Sequence, residues 1–159
     1  MDDIQVVIFD INGQQFGAEA WQVFQIIKYQ EATKMPRMPR FIEGIINFRD
    51  SVLPVINLAK RFDMGDVTIN KKTKILVARI DENYAGFIVN DVSEILRFAG
   101  NEIDSSPIMM QTGAGEYLKK VAIRGEKLIS IIDLEKVLND NEVKRLSSTL
   151  KKTEAALKH

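Results

Sequence analysis

The chain has 159 residues, of which 45% are hydrophobic, and its 22 basic residues balance 22 acidic ones. This length supports one ordinary hydrophobic core, or two small ones packed together. The balanced charge favours neither nucleic acid nor an anionic membrane as a partner, so we expect recognition through surface shape. The lack of cysteine excludes disulfides and thiolate chemistry, and it fits a reducing compartment.

The first residues predict a cytoplasmic protein. They are acidic and lead into an alternating strand, without the basic start and apolar block of a signal peptide. No apolar run approaches the roughly 20 residues that a membrane helix requires. We therefore expect no direct membrane insertion and no nucleic-acid partner.

The sequence offers little for catalysis. Its one histidine, His159, is the last residue, where nothing is expected to hold an imidazole in place. No recognised metal-binding spacing is present. The segment 112–116 contains two glycines but not the lysine that a phosphate-binding loop requires. We predict a protein that is not an enzyme and that uses no metal or cofactor.

In chain order, the first element is a strand from Ile4 that turns at Asn12-Gly13 and returns into a segment of the form VxxI at 23–26. Trp21 lies just before that segment. Because large rings are highly buried on average, we expect Trp21 to anchor the core.

A basic loop at 34–40 leads into a hairpin at 41–58. We interpret the loop as solvated, with a nucleic-acid patch as the weaker alternative, because Phe41 alone could stack on bases. At the hairpin turn, Arg49 is equally compatible with a plain salt bridge and with a partner-facing role. Asp50 tolerates a positive φ less well than glycine, which predicts a wide turn.

Pro54, inside the second apolar run of this hairpin, cannot donate a ladder hydrogen bond. It is therefore predicted to lie on a strand edge or at a bulge.

The second half of the chain repeats the first, and such a duplication constrains the architecture more than local propensity does. The turn of the second hairpin contains Gly125, which supplies the positive φ that tight turns often require. The matched pairs are Gly17 and Gly86, Val23 and Val92, and Ile26 and Ile95 at a spacing of 69, then Val55 and Ile131, and Leu58 and Leu134, at a spacing of 76.

The repeat predicts a mainly β fold. Four or five short strands per copy, rich in Val, Ile and Phe, match a small closed barrel, because closure removes exposed strand edges. We expect a single domain over residues 1–150 made of two barrels, at about 4–66 and 72–133. A frayed tail is expected at 151–159.

Each hairpin is followed by a short segment that opens with a helix-capping residue, Asn57 in one copy and Asp133 in the other. After the second hairpin we expect an amphipathic helix over 134–150, with a break near 139–141, that packs on a barrel. Its apolar stripe consists of Val143, Leu146 and Leu150.

From about Ile4 to Leu150 the chain resembles the CheW family of bacterial chemotaxis coupling proteins. The middle block of that family reads close to P-x-x-P-x-x-I-x-G-[IV]-x-N-L-R-G-x-[IV]-x-P-[IV]-[IV]-D-L. The residues that occupy its places here are Pro36, Pro39, Ile42, Gly44, Asn47, Arg49, Pro54, Asn57 and Leu58.

The resemblance implies two SH3-like five-stranded β-barrels that form an adaptor without catalytic activity. Such an adaptor links the cytoplasmic tips of chemoreceptors to the regulatory domain of the histidine kinase CheA. The alternative is a CheW-like scaffold subunit of another two-component signalling array. A third class, an unrecognised hydrolase or nucleic-acid-binding barrel, is opposed by the balanced charge and the missing catalytic groups.

Carried over by position, the resemblance also implies partner-binding residues. The receptor-binding residues are Val23, Gln25, Arg49 and Ile95, and the kinase-binding residues are Glu43, Asp50, Val52, Asp104 and Met109. The family usually has glutamate where Gln25 stands, so an ion pair with Arg49 becomes a hydrogen bond between a neutral and a charged group. The family's hairpin glycine is Asp50 here.

Overall fold

The computed structural model describes residues 3–80, 82–105, 117–138, 142, 144–146 and 148. Its strands are β1 (Ile4–Ile11), β2 (Gln14–Glu19), β3 (Val23–Lys28), β4 (Ile42–Phe48), β5 (Ser51–Asn57), β6 (Lys74–Ile80), β7 (Asn83–Val89), β8 (Asp91–Phe98), β9 (Ile103–Asp104), β10 (Leu118–Arg124) and β11 (Lys127–Ile132). The helix α1 (Leu58–Arg61) and the 3-10 helices Ala20–Gln22, Gly100–Glu102 and Leu134–Lys136 connect them.

The strands form two sheets, which confirms the predicted mainly β class. One sheet has six strands in the order β8-β1-β2-β11-β10-β9, and the other has five in the order β3-β6-β7-β5-β4. The parallel pairs are β2 with β11 and β5 with β7. All other pairs are antiparallel, including β1 with β8 and β3 with β6, which are distant in sequence. The two sheets are consistent with two SH3-like subdomains.

The duplication is visible in the strand register, and the two copies exchange strands. Val7 pairs with Ile95, and the residues matched to these two, Leu76 and Ile26, pair with each other. The parallel pairs obey the same rule. Ile131 lies opposite Gly17, and their counterparts Val55 and Gly86 lie opposite each other.

Each sheet therefore combines strands of both copies. The six-stranded sheet contains β1 and β2 of the first copy and β8 to β11 of the second, and the five-stranded sheet contains β3 to β5 of the first copy and β6 and β7 of the second. Hydrogen bonding crosses the boundary between the expected halves, 4–66 and 72–133, which a division into separate barrels does not anticipate. The physical reason is local. The 3-10 helix Ala20–Gln22 follows β2 and directs the chain out of the first sheet, so β3 pairs with β6 of the other sheet. The domain extent 1–150 and the frayed tail 151–159 stay predictions.

The first hairpin turn is tight, which corrects the wide turn expected from Asp50. Phe48 pairs directly with Ser51, so Arg49 and Asp50 are the only turn residues. Both adopt positive φ, at 48° and 62°. Two positive values mark a type I′ turn, whose twist matches that of the strands it joins. Strand pairing here outweighs the preference of these side chains for negative φ.

Pro54 lies in β5, which has a neighbour on each side rather than a free edge. Its partner in β4 is Ile45, whose N–H and C=O both bond with Thr33, at 2.9 and 2.8 Å. The Pro54 nitrogen therefore faces β7, where parallel pairing begins only at Val55. The missing N–H costs no ladder bond, so a central strand tolerates the proline without the predicted edge position.

The predicted caps are confirmed, but the expected helix over 134–150 is not continuous. The Asn57 side chain accepts from the N–H of Lys60, and that of Asp133 accepts from the N–H of Glu135. The 3-10 helix Leu134–Lys136 ends before two non-helical residues, and helical structure is next described at residues 142, 144–146 and 148.

Within the predicted apolar stripe of that helix, Leu146 is buried in the main core cluster. Val143 and Leu150 lie outside the described residues. None of the helices in the described part of the chain is long and apolar enough to cross a membrane.

Candidate partner-binding surface

Two of the expected receptor-binding residues touch each other. Arg49 projects from the turn between β4 and β5, and one of its terminal nitrogens donates to Oε1 of Gln25 on β3 at 2.9 Å. This is the neutral-to-charged hydrogen bond expected from the replacement of the family's glutamate. The sequence does not reveal this contact, because the two positions are 24 residues apart.

Aromatic rings support the Arg49 guanidinium. Its central carbon lies 4.9 Å from the ring centre of Phe24 and 5.5 Å from that of Phe48. Tyr84 packs against both rings, with centroids 4.9 Å from Phe24 and 6.0 Å from Phe48. We call these five residues, Phe24, Gln25, Phe48, Arg49 and Tyr84, the Arg49 platform.

Phe24, which sequence reasoning missed, lies at a β-bulge. Val23 pairs with Ala78 and Gln25 with Val77, so Phe24 is the extra residue on the edge strand β3. Phe24 is 46% exposed although its ring contacts two other rings. A bulge re-aims a side chain, and here it directs Phe24 toward the hairpin turn. The sequence signal that could have pointed to Phe24 is a phenylalanine inside the VxxI segment, which the structure shows to be an edge strand.

The other two expected receptor residues are less central. Val23 is half-buried on β3. Ile95 lies on β8, the edge strand of the other sheet, and is 59% exposed. Its counterpart Ile26, on β3, is also an exposed hydrophobic residue. Both edge strands thus display an isoleucine at the same place in the repeat.

The second hairpin has an arginine next to its turn that is used quite differently. Nε of Arg124 donates to Oε2 of Glu102 at 3.0 Å, and Nη2 donates to Oε1 of Glu102 at 3.2 Å and to the carbonyl of Arg97 at 2.7 Å. The guanidinium also lies 4.5 Å from the ring centre of Phe98. The hydrogen bond from Arg124 lowers the pKa of the Glu102 carboxyl. Arg124 is a clamp within the protein.

The expected kinase-binding residues of the first hairpin are not one cluster. Glu43 lies at the start of β4, seven residues from Asp50 in the turn, which for an extended strand is roughly 20 Å. Asp50 is exposed, whereas Val52 is buried, with 9% of its surface accessible. Glu43 therefore belongs to a different part of the surface from the turn.

Glu43 is part of a polar network. Its Oε1 lies 2.6 Å from Nζ of Lys60 and accepts from Nδ2 of the buried Asn57 at 3.2 Å. Asn57 also donates to Asp66 at 2.8 Å. The hydrogen bond to Glu43 raises the pKa of the Lys60 ammonium. This network ties β4 to α1, so Glu43 has a structural role whatever it contacts outside the protein.

The remaining kinase expectations concern the loop from Asp104. Asp104 is half-buried in β9, where it pairs with Val121 of β10. Met109 lies outside the described residues. Its assignment stays a prediction.

Trp21 corrects the expectation of a core anchor. It lies in the 3-10 helix Ala20–Gln22, and 66% of its surface is exposed. The buried residue of that helix is instead Gln22, whose Nε2 donates to Asp133 at 2.7 Å and whose Oε1 accepts from the N–H of Leu134 at 3.1 Å. A helical turn of three residues buries one side chain, and hydrogen bonding to the other copy selects Gln22.

The basic loop at 34–40 follows the solvated interpretation. Lys34, Arg37 and Arg40 are exposed. The carbonyl of Arg37 accepts from Arg145 at 2.8 Å, which ties the loop to the C-terminal helix. Across the described ranges, no group of three or more potential ligands could hold a metal ion.

A family model described as a CheW-like domain matches residues 5–142, most of the chain. The chain belongs to the CheW family. The predicted resemblance is confirmed. CheW proteins are scaffolds or adaptors of chemotaxis that carry out no catalysis, so this chain is not an enzyme.

Individual CheW proteins support the assignment. The chemotaxis protein CheW of Klebsiella aerogenes is 27% identical over 147 residues, which cover 92% of this chain and 89% of that protein. That of Bacillus subtilis is 29% identical over 135 residues, covering 85% and 86%. The crystal structure of the scaffolding protein TtCheW from Thermoanaerobacter tengcongensis is similar, with a TM-score of 0.79 and 32% identity over 87% of this chain and 94% of that one.

Proposed function

We propose that this CheW-family chain couples the cytoplasmic tips of chemoreceptors to the histidine kinase CheA. It works in the cytoplasm and is recruited to membrane-associated receptor arrays. Family membership supports a chemotaxis scaffold. The resemblance supports the two partners.

The Arg49 platform is the observation that carries the receptor half of this proposal. A guanidinium has five N–H donors, and among the contacts of the described residues Arg49 directs one hydrogen bond to Gln25. The aromatic rings hold the group in place at an exposed turn. Arginine and aromatic residues are enriched at interface hot spots, and a preorganised side chain loses little entropy on binding.

For the kinase half, we propose two contact regions. One is the turn side of the first hairpin with Asp50 and Val52, together with Glu43 at the far end of the strand. The other is the loop from Asp104 to Met109. Because Val52 is buried, we expect it to act mainly by shaping the hairpin.

The direct test is whether purified CheA co-elutes with this chain, followed by receptor-dependent kinase activation in a reconstituted array. Arg49→Asp should abolish that activation, because charge reversal in a desolvated interface typically costs 2–5 kcal/mol. Arg40→Met, a charge loss at an exposed loop residue, is the matched control and should leave activation intact.

Thermal unfolding separates a binding role of Arg49 from a structural one. We expect Arg49→Asp to lower the free energy of unfolding by about 1 kcal/mol or less, since the residue is exposed. A much larger loss, or full activation by a folded Arg49→Asp protein, would contradict the proposed receptor contact.

Co-elution with CheA also tests the alternative, in which the chain is a CheW-like scaffold subunit of another two-component array. Protein FrzA of Myxococcus xanthus is 25% identical over 131 residues, so relatives of this chain are not all named CheW. A chain that binds a CheW-like domain of another kinase, and not CheA, would support a subunit of a different two-component array.

A further inference from the structure

We propose that the Arg49 platform receives a carboxylate from its partner, flanked by an apolar residue that packs on Phe24. This inference rests on the proposed receptor-binding function and states its chemistry. Gln25, to which Arg49 donates, is a neutral amide, so the partner supplies the negative charge.

The first observation is an uncompensated charge. The cationic side chains of Lys60, Arg61 and Arg124 each form an ion pair with a carboxylate of this chain. Within the described ranges, the ion pairs do not include Arg49, whose hydrogen-bond partner is the neutral amide of Gln25. An aromatic base lowers the local polarity without neutralising the charge, so a carboxylate arriving from a partner would be strongly attracted.

The second observation is geometric. The guanidinium carbon lies against two rings, those of Phe24 and Phe48, which stand at 82° to each other, and the hydrogen bond to Gln25 holds one of its terminal nitrogens. A planar fork held in this way matches the two oxygens of a carboxylate, which bind arginine side by side. Lysine in the same place would supply the charge without the fork.

The third observation is the backbone at the turn. Arg49 has a φ of 48°, a left-handed backbone conformation that is unfavourable for residues other than glycine. Strained residues that persist often serve a functional site. The strained turn is what carries Arg49 over the rings of Phe24 and Phe48.

The apolar half of the contact comes from edge strand β3. Phe24 and Ile26 are both exposed hydrophobic residues on this strand. An acidic side chain with a neighbouring apolar residue would engage Arg49 and Phe24 together. Apolar cover of the guanidinium also excludes water, which strengthens the ion pair.

The experiment measures binding of a soluble cytoplasmic-tip fragment of a chemoreceptor from the same organism, by calorimetry at low and high NaCl concentration. The wild-type affinity should fall as salt rises. Arg49→Met should weaken binding at least about tenfold and remove most of this salt dependence, whereas Arg49→Lys should retain the salt dependence with weaker binding. Phe24→Ala should weaken binding and keep the salt dependence.

Gln25→Glu is the sharpest variant. It offers Arg49 an internal carboxylate that competes with the partner's, so we expect weaker binding with less salt dependence. Arg40→Met is the control for loss of one positive charge, and circular dichroism verifies that each variant is folded.

The outcomes separate the two proposals. A wild-type chain that binds no receptor fragment overturns the proposed function, and this inference with it. Receptor binding that Arg49→Met leaves unchanged, or that Gln25→Glu strengthens, overturns only the inference and leaves the adaptor function standing.

Discussion

Gly44 lies where the backbone leaves no room for a side chain. Its φ is 142°, and a Cβ there would meet the backbone oxygen of Thr33. That contact belongs to the isolated bridge between Thr33 and Ile45 beside β4. Backbone atoms cannot move aside as a flexible side chain can.

We therefore predict that Gly44→Ala lowers the free energy of unfolding by about 2–4 kcal/mol, through strain and overlap together. Gly125→Ala is the matched control. Its φ of 63° is also unfavourable for alanine, but no atom lies within 4 Å of the added Cβ, so about 1 kcal/mol is expected. Urea unfolding of both variants checks this, and equal losses would contradict the steric argument.

The Glu102 carboxylate makes one contribution to stability dependent on pH. Its hydrogen bonds with Arg124 and with the N–H of Ala99 lower its pKa from the ordinary 4.5. Because the pKa is lower in the folded state, the stabilisation is present above about pH 4.5 and is lost as the pH falls through the lowered pKa. Glu102→Gln should reduce the melting temperature at pH 7 and have little effect in acid. A difference between variant and wild type that is the same at both pH values would rule out this linkage.

At the scale of elements, Gln22 connects the two copies. It bridges the 3-10 helix Ala20–Gln22 and the 3-10 helix Leu134–Lys136, which are separated by more than 100 residues in sequence. Its carbonyl oxygen satisfies the N–H of the fully buried Leu134. A buried donor without an acceptor costs about 1–3 kcal/mol.

Gln22→Leu should accordingly lower the free energy of unfolding by about 1–3 kcal/mol, because leucine matches the size of glutamine but cannot accept a hydrogen bond. Gln14→Leu, at an exposed position of β2, should change it by no more than about 0.5 kcal/mol. If both variants unfold at the same denaturant concentration, the bridge does not stabilise the native state.

The hairpins show how equivalent elements diverge. In both copies the bulge before the turn falls at the matched place, between Ile42 and Gly44 in one and between Leu118 and Lys120 in the other. The turns themselves carry Arg49-Asp50 and Gly125-Glu126. The turn of the second hairpin contains glycine, and the neighbouring Arg124 is an internal clamp on Glu102. The turn of the first hairpin instead carries the exposed cation Arg49, which we propose as a partner contact.

At the scale of the whole molecule, the exchange of strands makes the halves interdependent. Each sheet requires strands of both copies, and the main core cluster includes residues of both, from Phe9 in β1 to Phe87 in β7. We therefore expect that neither half completes its sheet or buries its apolar face alone, and that the two copies fold as one unit.

This predicts the behaviour of a chain divided in the loop between α1 and β6. Fragments 1–69 and 70–159 should each lack a dispersed NMR spectrum when alone, and mixing them should restore the spectrum of the intact chain. The control is the intact chain at the same concentration. A folded spectrum from either fragment by itself would contradict the exchange of strands.

Much of the fold could be predicted from the sequence because the repeat, the turns and the capping residues are local signals. The spacing of 69 residues correctly identified Ile26 and Ile95 as equivalent positions, since their strand partners Leu76 and Val7 are equivalent too. Asn57 and Asp133 cap as expected. The position of Trp21 could not be predicted. Average burial of tryptophan says nothing about which face of a three-residue helix turns inward.

For the candidate site, the sequence determined the family and the residue types, including the replacement of glutamate by Gln25. The tertiary structure alone decided that Gln25 and Phe24 meet Arg49, that Glu43 lies far from Asp50, and that each sheet mixes strands of both copies. The reason is that hydrophobic periodicity specifies which residues form a strand and which face is buried, but it carries no information about which strand becomes the neighbour. That choice follows from how both copies bury their apolar faces at once.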